Sequence, residues 1–205
     1  HTRIDNYYWL NDRNNPEVIE YLNKENEYSA IKMKHTEGLQ KDLYEEITKR
    51  LDKEESSVPY FLDGYFYSQR YEKENEYPVF GRKKDSLNSV EEILIDQNQL
   101  AKNQPFCAIG QLSICSNNKI LAYSVDFVSR RMYEIFFKNL LTGELLKETI
   151  KNTSGGFAWA NDGKTIFYTR KDEKTLRSNR IYKHNVGTSS INGADGSIIT
   201  SGNAI

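Results

Sequence analysis

Cysteine is nearly absent from this 205-residue chain, with Cys107 and Cys115 its whole complement. Two cysteines cannot staple a disulfide scaffold, and their C-x7-C spacing, with no histidine following at ligand distance, matches no common zinc pattern. They read as small buried hydrophobes in a reducing compartment, so the expectation is a cytoplasmic protein with no metal and no cofactor. Basic blocks are missing too. The 28 Lys and Arg are balanced by 29 Asp and Glu, for a net charge of −1. No stretch of positive charge tracks a phosphate backbone, which excludes nucleic acid as a partner. No apolar run approaches the roughly 20 residues of a membrane helix, and nothing at His1 has the pattern of a signal peptide. Apolar residues make up 38% of the chain, a low share, but 14 Tyr and 9 Phe supply large packing surfaces that disordered chains lack.

What is present changes character near residue 58. Upstream, the pattern is helical. Asn15-Pro16 supplies an N-cap and a proline at the first helical position, and Glu17 suits the helix dipole. Val18, Tyr21, Leu22 and Tyr28 fall along one side of the helix that follows. In a second helix Leu39, Leu43, Ile47 and Leu51 recur every four residues among Lys, Asp and Glu, with Thr36 as the expected N-cap. Such a stripe needs another body to bury it.

Downstream of Pro59 the signal becomes short aromatic and β-branched runs. Strands are expected around Tyr65-Phe66-Tyr67, Pro78-Val79-Phe80, residues 92–95, 120–124, 133–137 and 165–168. Turn clusters such as Leu62-Asp63-Gly64, Ser116-Asn117-Asn118 and Asn161-Asp162-Gly163 separate them. Residues 113–143 align without a gap on residues 158–188, and a looser copy lies upstream, where Tyr67-Ser68 matches Tyr123-Ser124 and Phe80 matches Phe136. Each unit is a turn, a strand ending in Tyr-Ser or Tyr-Thr, a charged loop and a second strand. A period near 45–50 residues with several strands per unit is the mark of propeller blades, the alternative being unrelated β-meanders that look alike.

Several motifs carry a resemblance. Residues 3–13 (RIDNYYWLNDR), residues 16–22 (PEVIEYL), His35-Thr36-Glu37-Gly38, Ser56-Ser57-Val58-Pro59-Tyr60, Glu76-Tyr77-Pro78-Val79, and the stretch from Leu121 through Arg130-Arg131 resemble, in order, the start of the oligopeptidase B (protease II) group of the prolyl oligopeptidase family of serine peptidases. The resemblance runs from about residue 1 to residue 188. It implies a chain that is mainly β with an N-terminal helical arm: residues 1–58 form an arm that packs on an α/β-hydrolase domain, and residues 59–188 form the first two or three blades of a seven-bladed β-propeller. Residues 189–205, rich in Gly, Ser and Thr, are expected to be a flexible low-complexity tail. It further implies a parent serine endopeptidase that cleaves short peptides after Lys or Arg, with the propeller limiting substrate size and the α/β-hydrolase domain, missing here, as its partner. A stand-alone propeller-type module that binds a protein or ligand is the alternative.

Catalytic residues are not expected in this chain. The Gly-x-Ser-x-Gly elbow that exposes a strained serine is absent, and Gly187-Thr188-Ser189-Ser190-Ile191 fails at its last position. Of the histidines, His1 is terminal, His35 begins a helix and His184 falls in an outer strand, so no triad can be assembled. Gly155-Gly156 lacks the rest of a phosphate loop. Arg130-Arg131 has the form of an exposed hairpin, although it could anchor an acidic group. Glu72, Glu74 and Glu76 could attract basic peptides, but Lys73 interrupts them and a solvated loop is the plainer reading. With the arm and the end blades unpartnered, self-association of the chain is expected.

Overall fold

The computed structural model describes residues 3–52, 54–73, 75–172, 174–188 and 197–201. The chain divides into two compact units, His1–Asp52 and Lys53–Ile205. In the first, α1 (Pro16–Met33) begins as the sequence requires, because the Asn15 side chain accepts the backbone N–H of Glu17 at 3.0 Å and Pro16 follows it. Val18 is buried, and Trp9 meets Tyr21 edge to face at 5.6 Å. One 3-10 turn, Lys34–Thr36, carries α1 directly into α2 (Glu37–Lys49). Thr36 therefore does not cap α2 as expected. Its backbone is already helical, and its hydroxyl donates to the Met33 carbonyl at 2.7 Å and accepts from Gln40. The stripe of α2 forms as a stripe but stays open, with Leu39, Leu43, Ile47 and Leu51 between 47% and 64% exposed.

The second unit is antiparallel sheet. Strands β1 (Tyr60–Leu62), β2 (Tyr65–Arg70), β3 (Val79–Lys84) and β4 (Glu91–Asp96) form one four-stranded sheet in chain order, followed by the short α3 (Gln97–Ala101). The remaining strands are β5 (Ala108–Ile114), β6 (Ile120–Asp126), β7 (Tyr133–Asn139), β8 (Leu145–Trp159), β9 (Thr165–Lys171), β10 (Ser178–Asn185) and β11 (Ser197–Ser201), again paired in chain order. β8 serves twice. Its residues 145–153 pair with β7, and its residues 153–159 pair with β9. Asn152 at φ 58° and Gly155 at φ 93° mark the change of direction between the halves. The long sheet is thus two four-stranded sheet units sharing one strand, so that Lys53–Ile205 holds three sheet units.

The repeat read from the sequence is realised strand for strand, since β6 and β9 start and end 45 residues apart. Asn118 at φ 60° and Gly163 at φ 64° hold matching left-handed turn positions. The middle unit explains why residues 120–126 lack polar alternation. Leu121, Tyr123 and Val125 face the first unit together with Tyr67, Leu94, Ile95 and Cys107. Ala122, Ile135, Phe137 and Ile150 face the third unit and meet Phe157, Ile166, Tyr168 and Tyr182. Ser197–Ser201 pair antiparallel with β10. The rest of the expected tail, residues 189–196 and 202–205, lies outside the described residues.

Both cysteines are buried, and burial pushes the Cys107 thiol up. Burial also pushes the Tyr123 phenol up to about 12. Below pH 10 this phenol is neutral in both folded and unfolded chains, so its contribution to stability is intact. Between pH 10 and 12 only the unfolded chain releases the proton, and about 1.4 kcal/mol is lost per pH unit, about 3 kcal/mol in total. Urea titrations at pH 9 and pH 11.5 should register this loss, and Tyr123→Phe should flatten that part of the profile.

Candidate functional site

The residues suited to nucleophilic chemistry are not brought together. His35 is exposed on the helical unit, its Nδ1 2.9 Å from the Lys32 carbonyl oxygen. His184 is buried on β10, where Nε2 lies 2.7 Å from a carboxylate oxygen of Glu148 on β8, and the other Glu148 oxygen accepts the Gly187 N–H. Both acceptor oxygens are therefore committed to holding the third unit on the second. His1, Ser189 and Ser190 lie outside the described residues. Gly155 and Gly156 are strand residues of β8. Among the described residues there is no group of three or more His, Cys, Asp or Glu that could hold a metal ion. None of their helices is long and apolar enough to cross a membrane.

What the sheet units build instead is a scaffold with two distinct ends. Alternation of strand direction places the β2–β3, β6–β7 and β9–β10 loops at one end, together with the segment that leads into β1. The β6–β7 loop there is rigidly made. Asp126, 2% exposed, accepts the N–H groups of Val128 at 2.9 Å and Arg131 at 2.6 Å. Lys171 donates to the Arg131 carbonyl at 2.7 Å, tying this loop to the third unit. Arg130 and Arg131 are exposed at its tip. Asp126→Ala would strand two amides and an otherwise compensated buried site, at a cost of about 2–3 kcal/mol measurable by urea unfolding.

Blade-to-blade contacts repeat this pattern of polar locks. The Gln111 side-chain amide donates to the Phe157 carbonyl at 2.8 Å and accepts the Phe157 N–H at 3.1 Å, as a strand neighbour would. Trp159 Nε1 donates to the Ser113 carbonyl and the Ser116 hydroxyl to the Asn161 carbonyl. Arg82, 3% exposed, is held within the first blade by both carboxylate oxygens of Glu92, 4.0 Å from the Tyr65 ring centre, and reaches the second by donating to the Asn118 side-chain oxygen at 3.4 Å. None of these residues stands out in the sequence. The only available signal was a lone charge or amide at the end of an apolar run, as with Asp126 after Ser124-Val125.

Over residues 1–199 the chain matches the family model described as "Prolyl oligopeptidase, N-terminal beta-propeller domain". The dipeptidyl aminopeptidase BI of Pseudoxanthomonas mexicana is 38% identical over 203 residues, covering 91% of this chain and 28% of that protein. Protease 2 of Moraxella lacunata is 33% identical over 193 residues, with coverage of 91% and 28%. The solved structure of oligopeptidase B from Leishmania major superposes with a TM-score of 0.82 at 31% identity, covering 90% of this chain and 27% of that one. The chain thus spans about 28% of the length of the curated relatives it matches.

Proposed function

Because the chain belongs to the prolyl oligopeptidase family, whose N-terminal β-propeller domain it matches, we propose that it provides the helical arm and the first three blades of a serine oligopeptidase. In this reading residues 1–58 are the arm that covers part of a catalytic α/β-hydrolase domain, and residues 59–188 begin the propeller that admits short peptides and turns larger ones away. Cleavage follows Lys or Arg through an acyl-enzyme formed on a serine supplied by that other domain. The single observation that supports the reading most is the family match, which runs across both units without a break. The open stripe of α2 is consistent with it, since four large apolar side chains spaced to share one face have no cover within their own unit.

The test compares the longer polypeptide, catalytic domain included, with the 205-residue chain. The longer protein is expected to hydrolyse arginyl and lysyl amides and short basic peptides, leaving folded proteins intact. The 205-residue chain should show no turnover and no labelling by an active-site phosphonate. Preference for prolyl or dipeptidyl amides in the longer protein would reject the Lys/Arg specificity, and stoichiometric labelling of a serine in the short chain would reject the division of labour.

A further inference from the structure

We propose that the groove between the first and second blades binds an extended basic peptide, which pairs with the open edge of β5 and sets a Lys or Arg against Glu76. The groove has a volume of about 470 Å³, and one wall is the consecutive stretch of residues 108–112 of β5. The lining also carries Tyr71, Tyr77, Phe80 and Phe106, and Glu76 is the one charged residue among the described lining.

Two observations point to an occupant of this chemistry. First, β5 is paired on one side only, by β6, and its sequence AIGQLSI contains no charge and no proline. Edge strands are usually protected by Lys, Pro or shortness, and this one has none of those guards over seven residues. An extended peptide satisfies such an edge by main-chain hydrogen bonds. The Gln111 amide already makes a pair of peptide-like bonds from the same strand to Phe157. Second, Glu76 is exposed and makes no ion pair or hydrogen bond among the described residues. The nearby Glu72 is held by Arg70 at 3.0 Å and by Asn75 at 3.1 Å. A carboxylate left free beside aromatic rings suits a cation carried on an apolar stem. Gln97, which also lines the groove, donates through Nε2 to the Cys107 carbonyl and so fixes the start of the β5 wall. The inference stands apart from the proposed cleavage specificity, since it concerns binding to the propeller alone.

The probe is a fluorescein-labelled octapeptide of alternating Lys and Val, compared with its Glu–Val counterpart and with a Lys–Val version N-methylated at alternate residues. Anisotropy with the 205-residue chain should show binding of the first peptide only, the other two being at least tenfold weaker. Glu76→Lys should weaken binding at least tenfold and Glu76→Gln severalfold. Amide exchange should slow at residues 108–112 when the Lys–Val peptide is added. Because Glu76 is exposed, Glu76→Gln keeps the fold, as far-UV circular dichroism can verify, and it carries the test if Glu76→Lys does not fold. Equal affinity for the Lys and Glu peptides, unchanged affinity in Glu76→Gln, or no protection at residues 108–112 would overturn the inference. It would also fail if the longer protein protected these amides without peptide and gained nothing on its addition, since its own chain would then fill the groove.

Discussion

Gly155→Ala is expected to destabilise the chain by about 3–5 kcal/mol, one of the two largest losses from any single substitution considered for it. Gly155 has φ 93°, where a residue with a Cβ is strained by about 1–3 kcal/mol. The new Cβ would also stand 2.7 Å from the Tyr133 ring, inside any real contact distance. The ring has no room to retreat, because a Cβ at Gly110 would meet the same ring at 2.7 Å from the β5 side. Overpacking of this sort costs about 1–3 kcal/mol in addition. Gly110→Ala carries no positive φ and should lose about 1–3 kcal/mol through the clash with Tyr133 and the Ser124 hydroxyl. Combining each variant with Tyr133→Ala separates the two causes. The second change should relieve much of the Gly110→Ala loss relative to Tyr133→Ala alone, but should leave the backbone share of the Gly155→Ala loss. Urea denaturation of the parent and these five variants measures all terms. A Gly155→Ala protein within 1 kcal/mol of the parent would show that β8 relaxes at this corner.

That clamp illustrates what the sequence could and could not reveal. Gly110 and Gly155 stand 45 residues apart, the offset at which residues 113–143 align on 158–188, although both lie just before the aligned blocks. Their shared ring was not legible, because Tyr133 comes from a third strand and the contact depends on register between units. Strands with aromatic or β-branched runs, such as β6 and β9, were placed from their composition. β5 was missed because AIGQLSI is broken by a glycine bulge and has no aromatic residue. The first half of β8 was missed because it carries charges, and the charged β10 was legible only as the outer strand that holds His184. Those charges fit an outer strand position, and there β propensity says least. The same blindness hid the groove. Glu72 and Glu76 were visible as an acidic cluster, but the strand that gives Glu76 a context was not. His184 was read as an outer-strand residue, while its partner Glu148 sat unnoticed in the charged run Leu146-Lys147-Glu148-Thr149.

Hydrophobic spacing alone would rank Leu43 and Phe137 alike, as large apolar residues on a patterned face, yet their replacement by alanine should differ severalfold. Phe137 is wholly buried at the junction of the second and third units. Its ring centre lies 6.3 Å from that of Trp159, edge to face, and 6.2 Å from that of His184. Removing it empties a space bounded by two sheets whose strands are fixed by ladders on both sides, so collapse is limited and the cost should be about 3–5 kcal/mol. The Glu148–His184 contact would lose its apolar cover, and water admitted there would weaken the link between β8 and β10. Leu43 is 47% exposed, and Leu43→Ala should change stability by less than about 1 kcal/mol in this chain. For a chain of this length the Phe137→Ala loss corresponds to about 10 °C in the thermal midpoint. Calorimetry of both variants decides the matter. If Leu43→Ala lowered the midpoint as far as Phe137→Ala, the α2 stripe would be packed in solution, and the case that it awaits a catalytic domain would lose its basis.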